Sequence, residues 1–235
     1  MTEETRKNFM EMAGFKSHLS SLFEGRSLHI AIEGVMGVGK AALARLLSDR
    51  WGGKACFESI EDPFVGQDSR AFDRELFYLL TRFRQQRDVC EANGLKISNY
   101  LFGKSWIFAQ MNLPEADLPI FQRVYDSLVD EVPAPDLVLL LQADLETLLR
   151  RNYLKNPKFD KSLSPDHLEA LIQRYYHFFS FYTKAPVLKI PCASLDFVTD
   201  SNDLERIVCL IEDRLNGKRK PPLQQLKIET KHATI

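Results

Sequence analysis

Cysteine is scarce and scattered: Cys56, Cys90, Cys192 and Cys209 form no C-x-x-C pair. That excludes a disulfide scaffold and a cysteine zinc site, so the four read as reduced, mostly buried thiols of a cytosolic protein. The five histidines are equally dispersed and suggest no zinc site either. An excess of one charge is missing too, since 31 Lys and Arg balance 32 Asp and Glu for a net charge of −1. Nothing in these totals favours nucleic acid or an anionic membrane as a partner. No apolar run approaches the ~18–20 residues of a membrane-spanning helix. The polar opening MTEETRKNF does not read as a signal peptide. No internal repeat is evident. What is present is 45% hydrophobic and 27% charged over 235 residues, which suits one α/β domain with a sizeable core.

The organising stretch is SLHIAIEGVMGVGKAALARLL, from Ser27 to Leu47. Leu28 to Ile32 is a short apolar run without helical period, as a buried strand requires. Gly34, Val35, Met36, Gly37, Val38, Gly39 and Lys40 match G-x-x-x-x-G-K, and helix formers follow from Ala41. Strand, glycine loop, lysine and helix is the P-loop order. Glycines let backbone N–H groups turn in on phosphate oxygens, the helix start adds its positive end, and Lys40 reaches the terminal phosphates. The plain alternative is a glycine-rich turn that binds nothing; motif and context together favour phosphate. Ala41, followed by Ala42, stands where a serine or threonine would offer Mg²⁺ a hydroxyl.

Alternating signals continue down the chain. Residues 1–26 read as a polar, partly helical lead-in with Phe9, Met12, Phe15, Leu19 and Leu22 on one face. Lys54 to Phe57 suggests a second strand, with Glu58, Glu61 and Asp62 just beyond it, where open α/β sheets place their ligands. Such a cluster is either a solvated loop or the source of a general base. Residues 70–93 predict a long helix with Ala71, Phe72, Leu76, Leu79, Leu80 and Phe83 inward. Glu75 falls beside that stripe and either reaches a pocket or folds back to an arginine such as Arg82. A strand over 95–99, an apolar helix, and a helix over 118–132 with Ile120, Phe121, Val124, Leu128 and Val132 inward come next. Leu137 to Leu141 is a continuous apolar strand, and Asp144 caps a helix that turns basic at Arg150 and Arg151. The basic run RRNYLKNPKFDK is either a lid over phosphates or a surface loop. Ser164 and Pro165 open an aromatic helix to about Tyr182. A strand at 187–190 and a helix at 203–215 close residues 27–216, and 217–235 read as a disordered tail. The alternation predicts a parallel sheet of about five strands covered by helices on both faces.

Six segments in order resemble one family: IAIEGVMGVGK, Glu58 with Pro-Phe behind it, AFDRELFYLLTRFRQQ, ISNYLFGKSWIFA, PDLVLLLQAD and LDFVTD. They are similar to the bacterial deoxynucleoside kinases, the deoxyadenosine, deoxyguanosine and deoxycytidine kinase group. The resemblance implies a P-loop NTPase-type fold and ATP-dependent phosphorylation of a deoxynucleoside 5′-hydroxyl in salvage, with Mg²⁺ brought by the ATP phosphates. It also implies a cytoplasmic homodimer, or a heterodimer with a related chain. By the same resemblance Gly34 to Lys40 hold the donor phosphates, Glu58 is the general base and Arg151 a lid arginine. Asp196 and Phe197 belong to the segment that packs on adenine, and Glu75, Phe72 and Arg82 line the nucleoside site.

The departures gather at the chemistry. Ala41 lacks the hydroxyl, and Glu75 replaces a base-reading glutamine. Ser98 and Asn99 replace a charged pair. Lys155 and Pro157 stand where arginines are usual, and the segment 65–70 is short. A divergent kinase is therefore weighed against a weak or inactive nucleotide-binding subunit, with a nucleoside monophosphate kinase as a third reading. An enzyme should show substitute Mg²⁺ and phosphate ligands nearby in space, with Glu61 and Asp62 as candidates; a silent subunit need not.

Overall fold

A computed structural model describes residues 27–59, 61–67, 70–91, 93–155 and 164–217. Five strands alternate with helices: β1 (Leu28–Glu33), α1 (Lys40–Trp51), β2 (Lys54–Cys56), α2 (Ala71–Glu91), β3 (Leu95–Ser98), α3 (Lys104–Asn112) and α4 (Leu118–Val129). Then come β4 (Leu137–Gln142), α5 (Leu145–Lys155), α6 (Pro165–Phe181), β5 (Val187–Pro191) and α7 (Ser201–Leu215). The expected lead-in at 1–26, the tail beyond Gly217, the Lys155 side chain and Pro157 lie outside the described residues.

All four strand pairings are parallel, in the order β2-β3-β1-β4-β5. β1 sits centrally, with Ile30 opposite Ile97 on one side and Leu137 on the other. Its Ile30, Ala31 and Ile32 are fully buried, as both-face coverage requires. The chain leaves β1 in one direction and later crosses to the other side, so right-handed crossovers put α1 on one face and most later helices on the opposite one. α7 joins α1, where Arg50 pairs with Glu205 at 2.7 Å. The main core lies along β1, β4 and α1, while a smaller one forms around Leu79, Phe102, Ala109, Leu113 and Phe121 where α2, α3 and α4 meet.

Local chemistry explains several boundaries. The Ser164 side chain accepts the His167 amide, and Asp144 accepts that of Thr147, each capping a helix start. Two expectations need correction. Leu80 and Ile120, placed inward by period, are 44% and 47% exposed. Each lies one step from the residue that takes the buried slot, Leu79 and Phe121, and a helix turns ~100° per residue. Among the described cysteines Cys56 and Cys192 are buried, as expected of most of them, and Cys209 is exposed. No helix among the described residues is long and apolar enough to cross a membrane.

Candidate active site

The glycine loop leaves the central strand at its carboxyl end. Gly34, Gly37 and Gly39 have φ of 143°, 88° and 112°, conformations that side chains resist. Space is equally restrictive: a Cβ at Gly37 would meet Asn152 Oδ1 at 2.5 Å, and one at Gly39 the Phe197 ring at 2.7 Å. α1 starts on Gly39 without a side-chain cap, which leaves its first amides to an anion. Val35 and Val38 are buried anchors, whereas Met36, Ala41 and Ala42 line the open side. Lys40 Nζ donates to the carbonyls of Gly34 (2.7 Å) and Val35 (3.3 Å), folded over the loop it would serve.

Two carboxylates stand at the carboxyl edge of the sheet, Glu33 buried and Glu58 half-buried. Glu33 ends β1 and is 1% exposed; its oxygens accept from Leu101 N (2.7 Å), Gly34 N (3.1 Å) and the Tyr175 hydroxyl (3.1 Å). Burial raises its pKa, against the pull of Lys104, Lys40 and the amides. Glu58 lies two residues beyond β2, held by Asn99 Oδ1, which accepts its amide at 2.8 Å. Arg82 Nε donates to Glu58 Oε1 at 2.7 Å, and Lys104 Nζ pairs with Oε2. Burial pushes the Glu58 carboxyl up, but Lys104 and Arg82 outweigh it and lower its pKa to about 2.

The other expected residues divide. Arg82 turns to Glu58 and to Ser105 Oγ (3.1 Å), not to Glu75, because the ion pair satisfies its buried guanidinium better. Glu75 is 1% exposed; Asn112 Nδ2 donates to its Oε1 at 2.7 Å, while Oε2 has no partner among the described residues. Burial raises its pKa. Phe72 packs half-buried against the smaller core. Of the alternative bases, Glu61 is exposed, and Asp62 caps Phe64 N and faces Arg74 at 3.4 Å.

Ser98 turns away from the site. Its hydroxyl donates to Tyr100 O and accepts from His29 Nε2 at 2.9 Å. Arg151 spans two loops, donating to Val38 O (3.3 Å), Cys192 O (2.9 Å) and Leu195 O (2.9 Å). Asp196 folds onto its own loop through Thr199 Oγ1 at 2.7 Å, and Phe197 is buried beneath Gly39. Between these loops opens a cavity of about 610 Å³, lined by Gly37, Gly39, Ala42, Arg150, Ser194 and Val198 among others. Sequence reasoning passed over Glu33 and Lys104. Their signals were a charge closing an apolar strand and a lone cation opening an apolar helix.

Comparison with known proteins agrees with this geometry. A family model described as deoxynucleoside kinase matches residues 30–216. The chain belongs to the deoxynucleoside kinase family. It is 31% identical over 198 residues to a deoxyguanosine kinase of Bacillus subtilis (strain 168), covering 78% of this chain and 96% of the relative. A deoxyadenosine/deoxycytidine kinase of the same organism is 27% identical, covering 81% and 94%. In fold, the chain is similar to a deoxyadenosine kinase from M. mycoides solved with bound dATP, at a TM-score of 0.68 and 21% identity over 79% of this chain and 99% of that one. This deoxynucleoside kinase is accordingly a phosphotransferase with a P-loop α/β fold.

Proposed function

We propose that the chain transfers the γ-phosphoryl group of ATP to the 5′-hydroxyl of a deoxynucleoside. The observation that carries this reading is the Glu58 carboxylate, paired with Arg82 and Lys104 at the carboxyl end of β2, on the same sheet edge as the glycine loop with one strand between them. Glu58 accepts the proton of the attacking hydroxyl as the new O–P bond forms. The bond from the γ-phosphorus to the β-phosphate oxygen breaks, releasing ADP and a 5′-monophosphate. A carboxylate of pKa about 2 is a weak base. That suffices where the transition state is loose and the nucleophile needs aiming more than deprotonation. Lys40 leaves the loop carbonyls for the donor phosphates, and the cavity at Gly39 and Phe197 takes the donor base. Glu75 is the candidate reader of the acceptor base, its unpartnered Oε2 accepting from an amino or imino group once the side chains that now cover it give way.

Mg²⁺ travels with the ATP phosphates. Ala41 and Ala42 offer it only methyl groups, the Glu33 oxygens are taken, and no metal-holding group of His, Cys, Asp or Glu occurs among the described residues. The residues therefore do not fit a protein-held ion, and no step here runs through one. A cytoplasmic dimer completes the proposal, supported by the half-open aromatic face of α6, where Tyr176 and Phe181 are exposed; light scattering would give one chain's mass if that part is wrong. The non-catalytic reading has less support, because the relatives named above are deoxynucleoside kinases, although Glu61 and Asp62 supply no substitute Mg²⁺ ligand. Labelled ATP offered with each of the four deoxynucleosides should yield a labelled 5′-monophosphate from at least one, and label retained wholly in ATP and free phosphate would reject the assignment.

A further inference from the structure

Lys104 is an odd residue to find where it is. It opens α3, and a cation at a helix start opposes the helix dipole. Its side chain is only 13% exposed, so its charge must be compensated by a partner. Neither helix formation nor solubility accounts for a lysine there. The compensation is Glu58, met across 46 positions of sequence, with the Phe108 ring 5.4 Å from Nζ on another side. Meanwhile Asn99, at the strand end nearest Glu58, is neutral and grips only its backbone amide.

We propose that Lys104 is a positioning residue of the phosphoryl transfer, holding the Glu58 carboxylate at the loop edge in the place that neutral Asn99 cannot fill. The inference rests on the kinase reading above. Arg82 alone would secure one carboxylate oxygen and leave the other free to rotate; the second cation fixes the plane. The charged and titratable groups that act on Glu58 are Arg82 from α2, Lys104 from α3 and Tyr175 from α6, and Glu33 of β1 meets the same cluster through Lys104 and Tyr175. Of these, Lys104 and Arg82 favour its ionised form most, against burial.

Lys104→Met therefore removes one of the two cations that oppose the effect of burial. The acid limb of the kcat/KM profile should move up by at least one pH unit, and kcat should fall by about 10-fold or more, with KM for ATP unchanged. Lys104→Arg should restore both, and Lys104→Gln serves if the Met variant folds poorly. Carbon-detected NMR of the Glu58 carboxyl should show the same upward movement without any turnover. A Met or Gln variant that folds and keeps both the wild-type pH profile and the wild-type Glu58 titration overturns the inference. Absence of turnover in the wild type would instead strike the kinase reading, and the NMR titration would still decide the role of Lys104.

Discussion

At the scale of single residues, the site is a set of buried charges whose partners decide what each can do. Lys40 is the simplest case. Its amine rests on two loop carbonyls, and a phosphate would replace both with a charge-assisted contact. Lys40→Ala should weaken nucleotide binding several-fold or more in calorimetry; unchanged affinity would make the loop merely structural. Glu75 is the opposite case, a buried carboxylate with one unsatisfied oxygen and a raised pKa. A raised carboxyl pKa means the folded state binds the proton better, so its stabilisation is full below the unfolded pKa and is lost as pH rises through the folded value. Glu75→Gln should therefore flatten the loss of stability that sets in as pH rises above about 4.5, as thermal melts across pH would read. Glu58 and Lys40 were legible because each sits in or beside a local motif. The Arg82–Glu58 and Lys104–Glu58 pairs were not, since they join positions 24 and 46 apart that only the folded sheet brings together.

At the scale of elements, the glycine loop is held from outside as much as by its own backbone. Asn152 Nδ2 donates to Met36 O at 3.2 Å, and Arg151 ties Val38 to the 192–195 turn. The basic end of α5 thus clips two loops together, a role that composition could not distinguish from a lid or a surface loop. Arg151→Ala should lower stability by about 1–3 kcal/mol, since charged donors leave carbonyls behind, and should also weaken donor binding. Gly37→Ala forces a side chain into φ 88° and against Asn152, so donor affinity should fall more than overall stability. Equal losses in denaturant melts and in nucleotide titrations would count against a loop shaped for phosphate. The helices and strands themselves were readable from apolar period and cap residues. The misplaced faces of Leu80 and Ile120 show the limit: period locates a stripe to within one residue, and packing decides its edge.

At the scale of the whole molecule, the sheet order was the part least written in the sequence. Alternation predicted parallel strands, but no local signal says that β1 lies between β3 and β4; loop closure and burial of Ile30, Ile32 and Leu139 settle that. The same centre carries a pH dependence. Burial and the nearby Lys96 lower the His29 pKa from 6.5 to about 4, so the unfolded chain binds its proton more readily. Its depressed pKa makes stability fall as pH drops from 6.5 towards 4, by on the order of 3 kcal/mol. His29→Gln should remove most of that slope in melts between pH 7 and 4. Function rests on the assembled edge where β1, β2 and β3 end, and one comparison tests it most directly. Steady-state phosphorylation of the preferred deoxynucleoside is measured for wild type and Glu58→Gln, with nucleotide affinity measured alongside. The account predicts kcat lower by about 10²-fold or more in the variant with ATP binding nearly intact. Equal turnover in the two proteins would contradict it.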